Sequence, residues 1–122
     1  MSKVIHFDIQ ADDPARAIAF YTKVFGWTVT KWEGPQDYWL VTAGPDNEPG
    51  INGGIAPRTT AGQPTICSMS SPSVDESAKR VADAGGSIIL PKGPIPGVGY
   101  LIMCKDTEGN IFGIVESDPN AK

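Results

Sequence analysis

HFDIQADDPARAIAFYTKVFGW, residues 6–27, carries a strand, a helix start, a helix and a helix stop in unbroken order. Ile5, Phe7 and Ile9 alternate with His6, Asp8 and Gln10, the pattern of a half-buried strand over Val4 to Gln10. Asp13 is a good N-cap, and Pro14 follows at the first helical position, where its missing N–H costs nothing. Ala17, Phe20, Tyr21, Val24 and Phe25 recur at helical spacing and predict the buried stripe, with Gly26 as the stop. Trp27–Trp32, Tyr38–Ala43 and about Ile51–Ile55 are the strands expected next, separated by Gly, Pro, Asp and Asn.

The second half repeats that order. Thr65–Ser70 is a short strand candidate, and Ser73 with Glu76 forms an S-x-x-E capping pattern. Ala78, Val81 and Ala82 make the stripe of a second helix that stops at Gly85-Gly86. Ser87–Leu90, Tyr100–Lys105 and Asn110–Glu116 are the following strands. A shift of 59 residues, the distance from Gly54 to Gly113, lays one half on the other and sets His6 on Thr65. The fold class is therefore α+β: two β-α-β-β-β modules in one domain, with curved mixed sheets forming a cleft. Module one covers about 1–56, the connector about 57–63 and module two about 64–118. Each half holds too little core to stand alone.

The bulk numbers narrow the partners. At 122 residues the chain has the size of one domain, 40% hydrophobic and 20% charged. A net charge of −4 disfavours nucleic acid, whose phosphates need a basic surface. No apolar run has membrane-spanning length, and no apolar secretory segment precedes the first strand, so a cytoplasmic location is expected. Cys67 and Cys104 lack C-x-x-C spacing and read as two reduced thiols. Neither a P-loop, a dinucleotide fingerprint nor a Ser-His-Asp pattern is present.

Residues 6–27, with D-P-x-R-A and F-Y-x-x-V-F-G-W, and PKGPIPGVGYLIMCKDTEGNIFGIVE at 91–116 resemble the vicinal oxygen chelate superfamily. That superfamily holds glyoxalase I, bleomycin resistance proteins and extradiol dioxygenases; the likeness here is to its glyoxalase-like members. The resemblance implies a cleft with a divalent metal, bound by up to four His, Glu or Gln side chains, one from the first and one from the last strand of each module. Carried across, those positions fall on His6, on Gly54, near Thr65 (with Cys67 one strand period away) and on Gly113. Only His6 is a suitable ligand. Glu116 is a second weak candidate, but alternation sets it on the face opposite Gly113. The resemblance also implies a homodimer, with the Trp27–Trp32 and Tyr38–Val41 strands as the expected contact.

Two readings of function follow. The first is a protein that binds a small organic molecule with no cofactor, through His6, Asp8, Trp39, Gly54, Thr65, Cys67 and Gly113. Glycines at 53, 54 and 113 then open room for the ligand, or else merely relieve sheet curvature. The second is an enzyme, a glyoxalase-like lyase or dioxygenase, with Ni, Zn, Mn or Fe at His6. His6 is also the candidate catalytic base, with Asp8 its orienting partner, or else a hydrogen-bonded strand histidine without catalytic duty. Trp27, Trp32, Tyr38 and Trp39 are candidate aromatic walls. The Pro- and Gly-rich run 91–99 predicts a loop, either a lid or a plain connection, with Lys92 as its one charge.

Overall fold

The computed structural model describes residues 2–122. It divides into two compact units, His6–Ile66 and Cys67–Lys122, the latter joined by residues 2–5. The expected connector at 57–63 thus lies inside the first unit. Residues 2–5 group with the second because Lys3 exchanges backbone and side-chain hydrogen bonds with Ser70, at 2.9 and 3.4 Å.

The first unit runs β1 (Val4–Ala11, its part from His6 onward), α1 (Pro14–Phe25), β2 (Thr28–Lys31), β3 (Trp39–Thr42) and β4 (Gly53–Pro57). The strands lie in the order β2-β3-β4-β1. β2, β3 and β4 pair antiparallel, whereas β1 pairs parallel with β4, setting Asp8 opposite Gly54. The helix begins and ends as its sequence dictates. Asp13 Oδ1 accepts from the Arg16 N–H at 3.2 Å, and Gly26 adopts the left-handed φ of 71° that glycine tolerates best. Ala11, Val41 and Ile55 form the buried centre, packed by Phe7, Ile9, Ala17, Ile18, Tyr21, Trp27, Val29 and Trp39. Tyr21 and Trp27 stack at 5.0 Å.

The expected helix stripe is rotated. Ala17, Ile18 and Tyr21 meet the core, while Phe20, Val24 and Phe25 are exposed. Small Ala17 lets that side of α1 approach the sheet, which turns the larger side chains outward. The strands expected to make a homodimer contact are also largely used internally, since Trp27, Val29, Trp39 and Val41 pack in the core.

The second unit follows the same plan: β5 (Ile66–Ser70, its part from Cys67 onward), α2 (Val74–Asp83), β6 (Ser87–Ile95), β7 (Gly99–Lys105) and β8 (Ile111–Ser117). Its order is β5-β8-β7-β6, with β5 and β8 parallel and the other pairs antiparallel. The two β-α-β-β-β modules read from the sequence are both present, each with a mixed sheet. Val74, Ile102, Cys104 and Ile114 form the second core, covered by Ala78, Val81, Ile88, Tyr100 and Phe112. Ser73 Oγ caps α2 by accepting from the Glu76 N–H.

The run at 91–99 is a hairpin rather than a lid. β6 continues through Pro91 and Pro94 to Ile95, paired with β7 across two register shifts. Within this unit's sheet β6 is the outermost strand, where proline's missing N–H breaks no ladder. Its tip is tied to the C-terminal tail by Gly97 N–H to Ala121 O and Asp118 N–H to Val98 O, both 2.9 Å. Lys92 is engaged too. Its Nζ lies 3.1 Å from Asp75 and 4.7 Å from the Tyr100 ring centre.

Candidate functional site

Alternation along β1 puts Phe7, Ile9 and Ala11 under α1 and leaves His6, Asp8 and Gln10 on the opposite face. Alternation at β3 does the same: Trp39 and Val41 join the core, while Tyr38 and Leu40 share the face of His6. Three polar side chains converge there. Tyr38 Oη donates to Asp8 Oδ1 at 2.5 Å, and His6 Nε2 lies 2.6 Å from Tyr38 Oη and 3.0 Å from Asp8 Oδ1. The phenol has a single proton, already given to Asp8, so Nε2 must carry the hydrogen at its contact with Tyr38. Trp32 supports the phenol ring edge-on at 6.1 Å, and the Trp32 backbone N–H donates to the Tyr38 carbonyl at 2.8 Å.

Gly54 makes this arrangement possible. A Cβ at position 54 would overlap the Tyr38 hydroxyl and ring. The room left by glycine is therefore filled by the protein's own phenol. Burial, together with the Asp8 charge and the hydrogen bond to it, pushes the Tyr38 phenol far above its ordinary value. His6 and Asp8 remain partly accessible, their side chains 31% and 26% exposed.

Position 113 behaves alike. A Cβ there would overlap Ser68 Oγ, and Ser68 is buried. The strand registers also move the repeat by one residue. Asp8 faces Gly54 as Ser68 faces Gly113, so the first strands match at an offset of 60 and the last strands at 59. His6 corresponds to Ile66, and the assignment of Thr65 to the His6 position gives way to this register. Thr65 and Cys67 are both exposed, and Cys67 shares its register position with Phe112, on the α2-covered face of β8. Glu116 is also on the helix side, where its Oε1 accepts from the Val74 N–H at 3.0 Å.

Of the sequence-derived site residues, His6, Asp8 and Gly54 come together. Trp39 does not join them: it packs in the core beneath α1, with Lys31 Nζ 5.6 Å from its ring centre. Gly113 and Cys67 belong to the second unit. Tyr38, placed by the sequence only among the aromatic walls, proves to be the central hydrogen-bonding residue. The signal lay in the dipeptide Tyr38-Trp39: once the larger apolar ring is assigned to the core, period two turns the phenol to the polar face.

A family profile described as Glyoxalase/Bleomycin resistance protein/Dioxygenase superfamily matches residues 3–114. The chain belongs to this superfamily. As a member it is 31% identical over 116 residues to the putative glyoxylase CFP32 of Mycobacterium bovis and of Mycobacterium tuberculosis. That match takes in 92% of this chain but 43% of those relatives, so the chain spans less than half their length. Among solved structures, a Streptomyces coelicolor methylmalonyl-CoA epimerase in complex with 2-nitronate-propionyl-CoA superposes with a TM-score of 0.72 at 15% identity, covering 98% and 97% of the two chains. A superfamily member from Vibrio splendidus 12B01 gives 0.67 at 17% identity over 96% and 100%. At these identities the likeness establishes the fold.

The metal implied by the superfamily does not fit the donors this member offers. Glycines stand at 54 and 113, Ile66 replaces the second-module counterpart of His6, and Glu116 points to the α2 side. Among the described residues, no group of three or more His, Cys, Asp or Glu side chains is placed to hold an ion. No helix among the described residues is long and apolar enough to cross a membrane.

Proposed function

We propose that this chain binds a small organic molecule against the His6–Asp8–Tyr38 face of its first sheet, without the superfamily's full metal site. The observation that carries the reading is the Tyr38 hydroxyl over Gly54, bonded to both His6 and Asp8. It engages the Nε2 of the chain's one histidine and fills the room a ligating side chain at 54 would take. Leu40, opposite Gly54 in the register and 43% exposed, gives the same face an apolar surface on which a ligand body can rest. A homodimer is part of the proposal; the exposed Phe20, Val24 and Phe25 of α1 support it as the apolar surface for a second copy.

The test is metal analysis of untagged protein, followed by calorimetric titration of Ni, Zn, Mn and Fe(II) into wild type and His6→Ala. The expected result is no near-stoichiometric metal and equal, weak binding by both proteins. Near-stoichiometric metal that disappears in His6→Ala would overturn the reading in favour of a glyoxalase-like lyase or dioxygenase. The likeness to the mycobacterial putative glyoxylases is what favours that second reading.

A further inference from the structure

Both hydrogen bonds that Asp8 makes within the triad fall on one of its oxygens. Tyr38 Oη and His6 Nε2 both meet Oδ1, which leaves Oδ2 without a protein partner on a side chain 26% exposed. The proton inventory is equally one-sided. The phenol proton is spent on Asp8 and the Nε2 proton is turned toward Tyr38, so neither is free for a ligand. What remains on offer among the described residues is a carboxylate oxygen, an acceptor.

The cations of this unit lie elsewhere. Arg16 and Lys23 belong to α1, on the other side of the sheet. Lys31 sits beside Trp39 and pairs with Asp37 at 3.3 Å. Arg58 is bound to Asp12 at 2.9 Å and to the carbonyls of Gln10 and Gln63 at 3.0 and 3.1 Å. No lysine or arginine of this unit thus pairs with Asp8 among the described residues, in a chain whose net charge is already −4. A ligand that completes this face has to bring hydrogen-bond donors, and a positive charge strengthens each bond it makes.

Resting on the binding reading above, we infer that the site takes a cationic donor group, an ammonium, amidinium or guanidinium on a small organic body, with Asp8 Oδ2 as its acceptor beside the His6 ring. The charged end meets Asp8, and the body lies on Leu40 and Ala56, the neighbours of Gly54 on and beside β4. An anionic ligand meets the Asp8 carboxylate with no compensating cation.

Three probes of nearly one size and shape separate the possibilities: benzamidine, benzamide and benzoate. The chain has a single histidine, so its ring ¹H–¹⁵N signals report this face without assignment ambiguity. The expected result is a saturable shift of those signals by benzamidine, with affinity at least about tenfold above benzamide and benzoate weaker still. Asp8→Asn is expected to remove that preference. Benzamide or benzoate binding as tightly as benzamidine to the wild-type protein would overturn the cationic inference and leave the binding reading standing. No response of the His6 ring to any of the three would overturn both. The wild-type comparison decides the matter even if Asp8→Asn fails to fold.

Discussion

The hydroxyl of Tyr38 occupies the space in which a side chain at Gly54 would begin. The two residues lie on neighbouring segments of one sheet, and each accounts for the other. Without a Cβ at 54 the phenol can descend onto Asp8 and His6; with one, it has to leave. Replacing Gly54 by Ala is expected to displace the ring and to cost about 1–3 kcal/mol, the usual penalty of overpacking. Thermal or denaturant unfolding gives the loss. The same variant should return the Tyr38 phenol toward its ordinary titration range, read from tyrosinate absorbance.

That titration has a consequence for stability with a definite sign. Burial first, then the charge and hydrogen bond of Asp8, raise the Tyr38 phenol above its ordinary value. Above about pH 10 the unfolded chain releases this proton while the folded chain keeps it, so stability falls as pH rises. The limiting slope is about 1.4 kcal/mol per pH unit, and solvent screening at this partly exposed site narrows the pH range over which it applies. Below that range Tyr38 contributes no pH dependence. In Tyr38→Phe this alkaline decline is expected to shrink, at a general cost of about 1–3 kcal/mol for the lost hydrogen bonds. Equal alkaline declines in the two proteins would contradict the assignment.

Glu116 separates structural from ligand-facing roles. Its carboxylate accepts from the Val74 N–H at the start of α2, where negative charge is also favoured by the helix dipole. Glu116→Ala should lower stability by about 0.5–2 kcal/mol, as loss of an N-terminal cap does. The His6 ring signals should not move. A shift of those signals would place Glu116 in contact with the site after all.

The fold was legible because its punctuation is local. Asp13-Pro14 and Gly26 bracket α1, Ser73 starts α2, and Gly85-Gly86 follows its end. Period-two alternation gave the faces of β1. The site was legible only in part, because its decisive partner is 30 residues from Asp8 in the chain. Nothing local announces that Tyr38 and Gly54 fit together; only the pairing of β3 with β4 does. The one-residue difference between the strand offsets, which replaced Thr65 with Ile66, is likewise a register fact, set by pairing and invisible to a rigid shift. The rotated stripe of α1 has a similar cause. Phe20, Val24 and Phe25 satisfy helical spacing as well as Ala17, Ile18 and Tyr21 do, and the sheet's need for close approach decides between them.

The two thiols provide a simple check of the second unit. Both are free, Cys67 exposed and Cys104 buried, with burial pushing the Cys104 thiol upward. A higher thiol pKa and an inaccessible sulfur both slow attack on a disulfide reagent. Native protein should therefore react rapidly at Cys67 alone, and Cys104 should follow only with unfolding. Mass mapping of the modified residues after a brief exposure checks the assignment, and fast labelling of both would contradict the packing of Cys104 among Val74, Ile102 and Ile114.

The outward side of α1 gives the last prediction. Phe20 and Val24 stand one helical turn apart and are 57% and 53% exposed, and Phe25 beside them is 60% exposed. Isolated exposed apolar residues are ordinary, but three on one 12-residue helix form a continuous stripe. None of the three is in the buried centre of the unit; Phe25 stacks on the core-packing rings of Tyr21 and Trp27 at 6.3 and 5.4 Å and is therefore kept, and Phe20 meets Tyr21 edge-on at 5.1 Å. If two copies pair through this stripe, sedimentation should give about twice the mass of 12.9 kDa for wild type. Phe20→Ser combined with Val24→Ser should return the mass to that of one chain, and the monomer should stay folded at a cost of about 0.5–1.5 kcal/mol for the lost edge-on contact of Phe20 with Tyr21. A monomeric wild type would remove the homodimer from the proposal. A dimer untouched by the double substitution would keep the homodimer but move its contact off α1.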